Sequence, residues 1–482
     1  MLSVATGLVF TLMLTRSTIP EELGIWSNVN DVIAYFAFLA PAFPFWAMRF
    51  TARNKEGAAK TGFLANLVVS LIATVIYLPT VPLIMSLLGI SGIYIIIYLV
   101  ASMQIIETYL IVILEGCLRA KLPQAIGYGL LIEEGCKVLS AYLLLYSPYR
   151  LQQPLFGALV SLTVAFAIQI VYYLKLLSKE LKQPIQRSYI KEWLKGSTIN
   201  IYYYIGDRIA ALVFIMLIAY NPIVGPQARG IYQAAWTVAN IILYSFFLSF
   251  ALYPKLLAED SREDIIASLK TVLMIAIPMT AGVIALSDSY LTVLNEIYKE
   301  AALILTVLAV GAFIQTISQF FASVLFGLER IDEKAEIPLR ELMKSPLFKA
   351  FTLPYAHSAI TLPTTFYVLK NFAIDPLSAA FYVGIIDTIA RLIMLLILCF
   401  IMRKIIRLTI PWKNIAKYVF ASAVMAVFLY FVFIPHPTRL TVTLAITALG
   451  AIVYFILLIA TDKDARELIR SVWQEIRFRF KG

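Results

Sequence analysis

The chain holds 482 residues, of which 61% are hydrophobic and only 14% charged, with a mean hydropathy of +0.84 and a net charge of +11. An ordinary soluble domain is about 45–50% apolar and about 25% charged, so a water-soluble globule is excluded. A soluble catalytic domain is excluded with it, because the longest polar interruption runs only from Glu329 to Lys349. Cys117, Cys136 and Cys399 fall at or inside apolar runs without paired spacing, and His357 and His436 are too few for a cluster. Neither a disulfide framework, a metal site nor a cofactor is expected.

In chain order, apolar runs bounded by charges, Pro or Gly predict fourteen membrane helices, over 1–15, 30–49, 62–88, 92–118, 123–146, 154–178, 196–220, 230–253, 266–287, 300–327, 350–369, 376–402, 412–434 and 439–461. The first is short. It lacks the basic flank and small-residue cleavage site of a signal peptide, so it reads as a span whose opening turn is missing.

Orientation follows from Lys and Arg counts. Segments after even-numbered spans, with the C-terminal tail, carry 31 of these residues, and those after odd-numbered spans carry 6. The alternation predicts a multi-pass protein of the cell membrane with both termini cytoplasmic. It also explains the positive charge, so nucleic acid is not implied. Residues 462–482 form a separate object: Leu468, Val472 and Ile476 recur every four residues among Arg466, Arg470, Arg477, Arg479 and Lys481. That pattern predicts an amphipathic helix on an anionic leaflet.

The chain repeats itself weakly. Leu8-Val9-Phe10 followed by Gly24-Ile25-Trp26 matches Leu212-Val213-Phe214 followed by Gly230-Ile231-Tyr232, and Gly116-Cys117-Leu118-Arg119 matches Gly327-Leu328-Glu329-Arg330. Parallel six-helix repeats predict an N-lobe over 1–178 and a C-lobe over 196–404. Accessory spans then occupy 412–461, and the lobes face a central cavity, as in transporters.

Leu14-Thr15-Arg16 with Pro20-Glu21-Glu22-Leu23-Gly24-Ile25-Trp26 resembles the first-loop signature of the polysaccharide and O-antigen flippases. These belong to the multidrug/oligosaccharidyl-lipid/polysaccharide (MOP) exporter superfamily. Gly206-Asp207-Arg208-Ile209 leading to Gly230-Ile231-Tyr232-Gln233-Ala234-Ala235 resembles the span 7–8 pattern of that family, and Gly116-Cys117-Leu118-Arg119-Ala120 its span-4 exit. The resemblance covers essentially the full length. It implies an all-α membrane transporter, not an enzyme, that moves polyprenyl-linked sugars from the leaflet where they are built to the outer one.

Ionisable residues inside spans cost roughly 2.5–3.5 kcal/mol each on insertion scales and are usually functional. Eight stand well inside: Glu107, Glu133, Glu134, Lys137, Asp207, Arg208, Asp387 and Arg391. Glu107, Glu133, Asp207 and Arg391 each lie 12 residues from a flanking cation, Arg119, Lys121, Lys195 or Arg403. That places one charged layer roughly 18 Å from the cytoplasmic edge. Glu133 with Lys137, and Asp387 with Arg391, are spaced i,i+4, so each pair either braces its helix or serves a ligand. Asp207 and Arg208 point about 100° apart, so each is expected to find a partner elsewhere, and Lys137 is the expected partner of Glu107.

Arg208, Asp207, Arg391 and Lys137 are the central candidates for a pyrophosphate. Arg49 and Lys255, at matching inner ends of spans 2 and 8, are candidates for the inner mouth. The acids Glu107, Glu133, Glu134 and Asp387 either hold the bases or bind coupling H+ or Na+. Tyr202, Tyr203 and Tyr204 offer rings to sugars. Pro41, Pro44, Pro79, Pro82, Pro278, Pro354 and Pro363 are expected to bend or break helices. The expected substrate is a lipid-linked glycan. The alternatives are a cation-coupled multidrug exporter of the same superfamily, disfavoured by the lack of an acid over residues 1–14, and an integral-membrane glycosyltransferase or polymerase.

Overall fold

The computed structural model describes residues 2–148, 150–249, 262–328, 345–405, 410–463 and 465–466. Seventeen α-helices and no strand occur among them. In order they are α1 (Leu2–Ser17), α2 (Pro20–Phe36), α3 (Pro44–Ala52), α4 (Ala58–Leu88), α5 (Ile95–Lys121), α6 (Pro123–Leu145), α7 (Pro154–Leu176), α8 (Arg187–Gly196), α9 (Thr198–Ala219) and α10 (Val224–Ala239). There follow α11 (Arg262–Ala285), α12 (Ser287–Leu294), α13 (Ala302–Leu328), α14 (Pro346–Asn371), α15 (Pro376–Ile405), α16 (Trp412–Val432) and α17 (Leu440–Thr461). Among the described residues helix occupies most of each of the fourteen predicted spans, and ten helical segments are long and apolar enough to cross a membrane. Many large apolar side chains point outward. On α4, Leu71, Ile72, Val75 and Ile76 are all exposed, the composition expected where the solvent is hydrocarbon.

The largest departures from the sequence reading fall in two spans. The second span is not one helix over 30–49, because α2 begins at Pro20 and ends at Phe36, and α3 restarts at Pro44. Pro20 and Pro44 sit at helix starts, where a missing N–H costs nothing. Pro41 lies in the break between the two helices. The eighth span starts at Val224 rather than at 230 and changes to 3-10 helix over Asn240–Ser249. The remaining expected kink sites, Pro79, Pro82, Pro278, Pro354 and Pro363, stay within unbroken helices.

The chain divides into two compact units. One comprises Met1–Gln233 with Phe351–Val383, the other Ala234–Ala350 with Gly384–Gly482. In the first unit α5 lies at the centre, packed by α3, α4 and α7, while α6 bridges α7 and α1. Its polar side chains are tied off on the backbone: Tyr77 Oη donates to the Tyr98 carbonyl at 2.7 Å, Tyr109 Oη to that of Phe36 at 3.1 Å, and Asn66 Nδ2 to that of Tyr109 at 2.9 Å. In the second unit α11 packs on α13, α16 and the 240–249 segment. There Tyr454 Oη donates to the Met274 carbonyl at 2.7 Å. Such bonds hold helices together where burial from water supplies no force between them.

Candidate functional site

On α6 the i,i+4 pair forms and recruits a third charge. Lys137 Nζ lies 3.0 Å from Glu133 Oε1 and 2.9 Å from Glu134 Oε1, and over the Phe10 ring of α1 at 5.5 Å. Glu134 Oε2 is buried without a hydrogen-bond partner. Two carboxylates on one ammonium leave a formal charge of minus one on this helix. Lys137 is therefore the partner of Glu133 and Glu134, not of Glu107 as expected. Glu107 Oε2, and Gln104 Nε2 one turn away on α5, are both buried and without a partner.

A second cluster joins α2, α9 and α10. Asp207 and Arg208 do not seek separate partners, because Arg208 Nη2 donates to Asp207 Oδ2 at 2.5 Å. The pair stays open, with side chains 42% and 30% exposed. Arg208 has no other bonded side-chain partner among the described residues. Its backbone carbonyl accepts from Tyr35 Oη of α2 at 3.0 Å. One turn before Tyr35, Asp31 takes Arg229 in a two-pronged grip, with Nε at 3.0 Å from Oδ2 and Nη2 at 3.2 Å from Oδ1. Arg229 Nη1 donates to Gln233 Oε1 at 3.0 Å, and the guanidinium lies over the Phe214 ring at 4.7 Å.

The sequence reading missed Asp31 and Arg229. Arg229 counts there as an outer flanking charge, whereas it lies inside α10 and is 4% exposed. Gly225, Pro226 and Gly230, residues that usually break helices, conceal the helix start. A signal was present, since Pro20 and Pro226 hold the same place before Gly24 and Gly230.

In the second unit Arg391 Nε donates to Asp387 Oδ2 at 2.7 Å, and the guanidinium lies 5.0 Å from the Trp236 ring centroid. Arg391 Nη1 is buried without a hydrogen-bond partner. In the first unit Arg49 is half-buried over the rings of Phe45 and Trp46, at 4.5 and 5.8 Å. Lys255 and the tail residues from Glu467 onward lie outside the described residues. The Tyr202 ring stacks on Tyr355 at 4.6 Å, and Tyr203 packs on Phe351 at 5.4 Å. Among the described residues no group of three His, Cys, Asp or Glu side chains could hold a metal ion.

No protein-family model and no curated protein sequence matches the chain. Among solved structures, the lipid II flippase MurJ in an inward closed conformation matches with a TM-score of 0.69 at 17% identity, covering 97% of this chain and 98% of its own. An inward-facing multidrug resistance MATE transporter of the MOP superfamily matches at 0.63 and 12% identity, covering 83% and 95%. Its outward-facing counterpart matches at 0.53 and 14%, covering 83% and 92%. The chain has the fold of MurJ and the MATE transporters. This fold is the all-α, multi-pass architecture that the apolar runs and the flippase resemblance lead one to expect.

Proposed function

We propose that the chain moves a polyprenyl-pyrophosphate-linked oligosaccharide or polysaccharide repeat unit across the cell membrane by alternating access, with both termini cytoplasmic and lobes over 1–178 and 196–404. The observation that carries this reading is the open Asp207–Arg208 pair. A guanidinium in mid-span, with one nitrogen bonded and its side chain 30% exposed, suits a phosphate ligand through its planar fork. Asp207 orients it. Within the second unit Arg391, whose Nη1 is unpartnered, is a further candidate for a phosphate, and Arg49 and Lys255 are each candidates for the headgroup at the inner mouth. The charge surplus at Glu133, Glu134 and Lys137, together with Glu107, supplies the site for a coupling H+ or Na+.

The test is rescue of a flippase-deficient strain, with lipid-linked sugar measured in each leaflet. Arg208→Lys retains partial rescue and Arg208→Ala none, at equal membrane levels. Full rescue by Arg208→Ala overturns the assignment. The likeness to MATE structures supports a second reading, a cation-coupled multidrug exporter. Raised drug tolerance without sugar rescue would favour it.

A further inference from the structure

The segment between α7 and α9 carries a surface that none of the chemistry above uses. Helix α8 is pinned in direction. Trp193 is fully buried among Phe43, Phe50 and Tyr189, at 6.4, 5.5 and 5.8 Å between ring centroids. Gln183 Oε1 accepts from the Gly57 N–H at 2.7 Å, Thr61 Oγ1 accepts from that of Gln186 at 2.9 Å, and Ser197 Oγ donates to the Ala42 carbonyl at 2.5 Å. Gly57 has φ +72, and a Cβ there would meet the Pro184 carbonyl oxygen at 2.0 Å, so this corner admits only glycine.

The opposite face is therefore held outward. At about 100° per residue, Arg187, Lys191, Leu194 and Lys195 share one sector of about 100°. All four are exposed, and Glu192, the one acid of the helix, falls outside the sector. Arg187, Lys191 and Lys195 repeat at i,i+4, where like charges destabilise a helix. None of these three side chains has a hydrogen bond or ion pair to another described residue. Lys179 and Lys182 add exposed cations just before α8, and Ile185 is exposed beside them.

An aqueous face has no use for Leu194 amid three cations. A layer of anionic headgroups does, because it neutralises the repeated charge while the leucine enters the acyl boundary. We propose that α8 docks on anionic phospholipid of the leaflet from which α7 and α9 emerge, so that this lipid holds the α3–α4 corner to which α8 is clamped.

The experiment uses the full chain in phosphatidylcholine nanodiscs with increasing phosphatidylglycerol, and an environment-sensitive fluorophore on Leu194→Cys. Emission shifts to the blue as phosphatidylglycerol rises, and the shift reverses in high salt. With Arg187→Gln, Lys191→Gln and Lys195→Gln combined, the affinity of this face for phosphatidylglycerol falls roughly 100-fold, about fivefold per cation, and the blue shift is lost across the titration. A water-like spectrum at every lipid composition overturns the proposal. So does a shift that ignores both salt and the triple substitution. The salt arm keeps the native cations, so the test stands even where the triple variant fails to fold.

Discussion

Gly24 and Gly230 meet across α2 and α10 with their backbones in contact. A Cβ on Gly24 would fall 1.8 Å from the Pro226 carbonyl oxygen, and one on Gly230 would fall 1.8 Å from that of Pro20. Pro20 stands four residues before Gly24, and Pro226 four before Gly230. The contact is thus reciprocal between positions that the sequence repeat makes equivalent. The flanking rings repeat too: Phe10 packs on Trp26 at 6.2 Å and Phe214 on Tyr232 at 5.4 Å. Carbon contacts prefer about 3.5–4.0 Å, so either Gly→Ala change must push the helices apart. Overpacking of this kind costs typically 1–3 kcal/mol. Gly24→Ala and Gly230→Ala should each lower thermal stability in detergent and reduce transport, and wild-type stability in both would show that the crossing is looser than described.

Close by, the buried Arg229 pairs with the half-buried Asp31, and the two halves should not be separable. Removing one partner of such a pair costs about 3–5 kcal/mol, because the other charge stays buried alone. Arg229→Met should therefore lower membrane levels and thermal stability sharply. Asp31→Asn combined with Arg229→Met removes both charges and should recover most of the loss. Equal damage in the single and double variants would mean that the guanidinium acts through Gln233 and Phe214 rather than through Asp31.

Much of the fold was legible because hydrocarbon imposes a single length scale on every apolar run, and among the described residues helix occupies most of each of the fourteen runs. What was hidden follows from the same cause. A charge beside Pro and two glycines reads as a span boundary, which places Arg229 outside and cannot report that α10 begins at Val224. Spacing along one helix anticipated Glu133 with Lys137 and Asp387 with Arg391. It misjudged Asp207 and Arg208, where a long guanidinium folds back on its neighbour despite the angle between their Cα–Cβ bonds. Partners on other helices, such as Asp31 for Arg229, depend on packing that periodicity does not encode.

The α6 triad makes a separable prediction, because its two acids and one base differ in what their removal leaves behind. Lys137→Met leaves two carboxylates in hydrocarbon and should fail to reach wild-type membrane levels, whereas adding Glu133→Gln and Glu134→Gln to it leaves no charge and should restore them. Glu134→Gln alone leaves a neutral pair, so the protein should insert normally. If the surplus charge binds the coupling ion, that variant loses the dependence of transport on the ion gradient. Unchanged gradient dependence would reduce the triad to a brace.

Asp375 gives a pH-dependent prediction outside the membrane spans. It precedes α15, and its Oδ1 accepts from the backbone N–H groups of Ser378 at 3.0 Å and Leu377 at 2.9 Å. The bond from the Ser378 backbone, with those from its hydroxyl and from Leu377, holds the carboxyl below the usual aspartate range. A carboxyl lowered in the folded state stabilises fully above its unfolded value of about 3.9. That contribution is lost as pH falls through the lower folded value. The group is exposed, so solvent keeps the charge term small. Asp375→Asn retains a capping oxygen and should match the native chain at neutral pH while losing the acid-side decline. Asp375→Ala loses the cap itself and should cost about 1 kcal/mol at neutral pH. Thermal unfolding in detergent between pH 3 and 7 separates the two, and a native decline that survives in Asp375→Asn would assign it to another carboxylate.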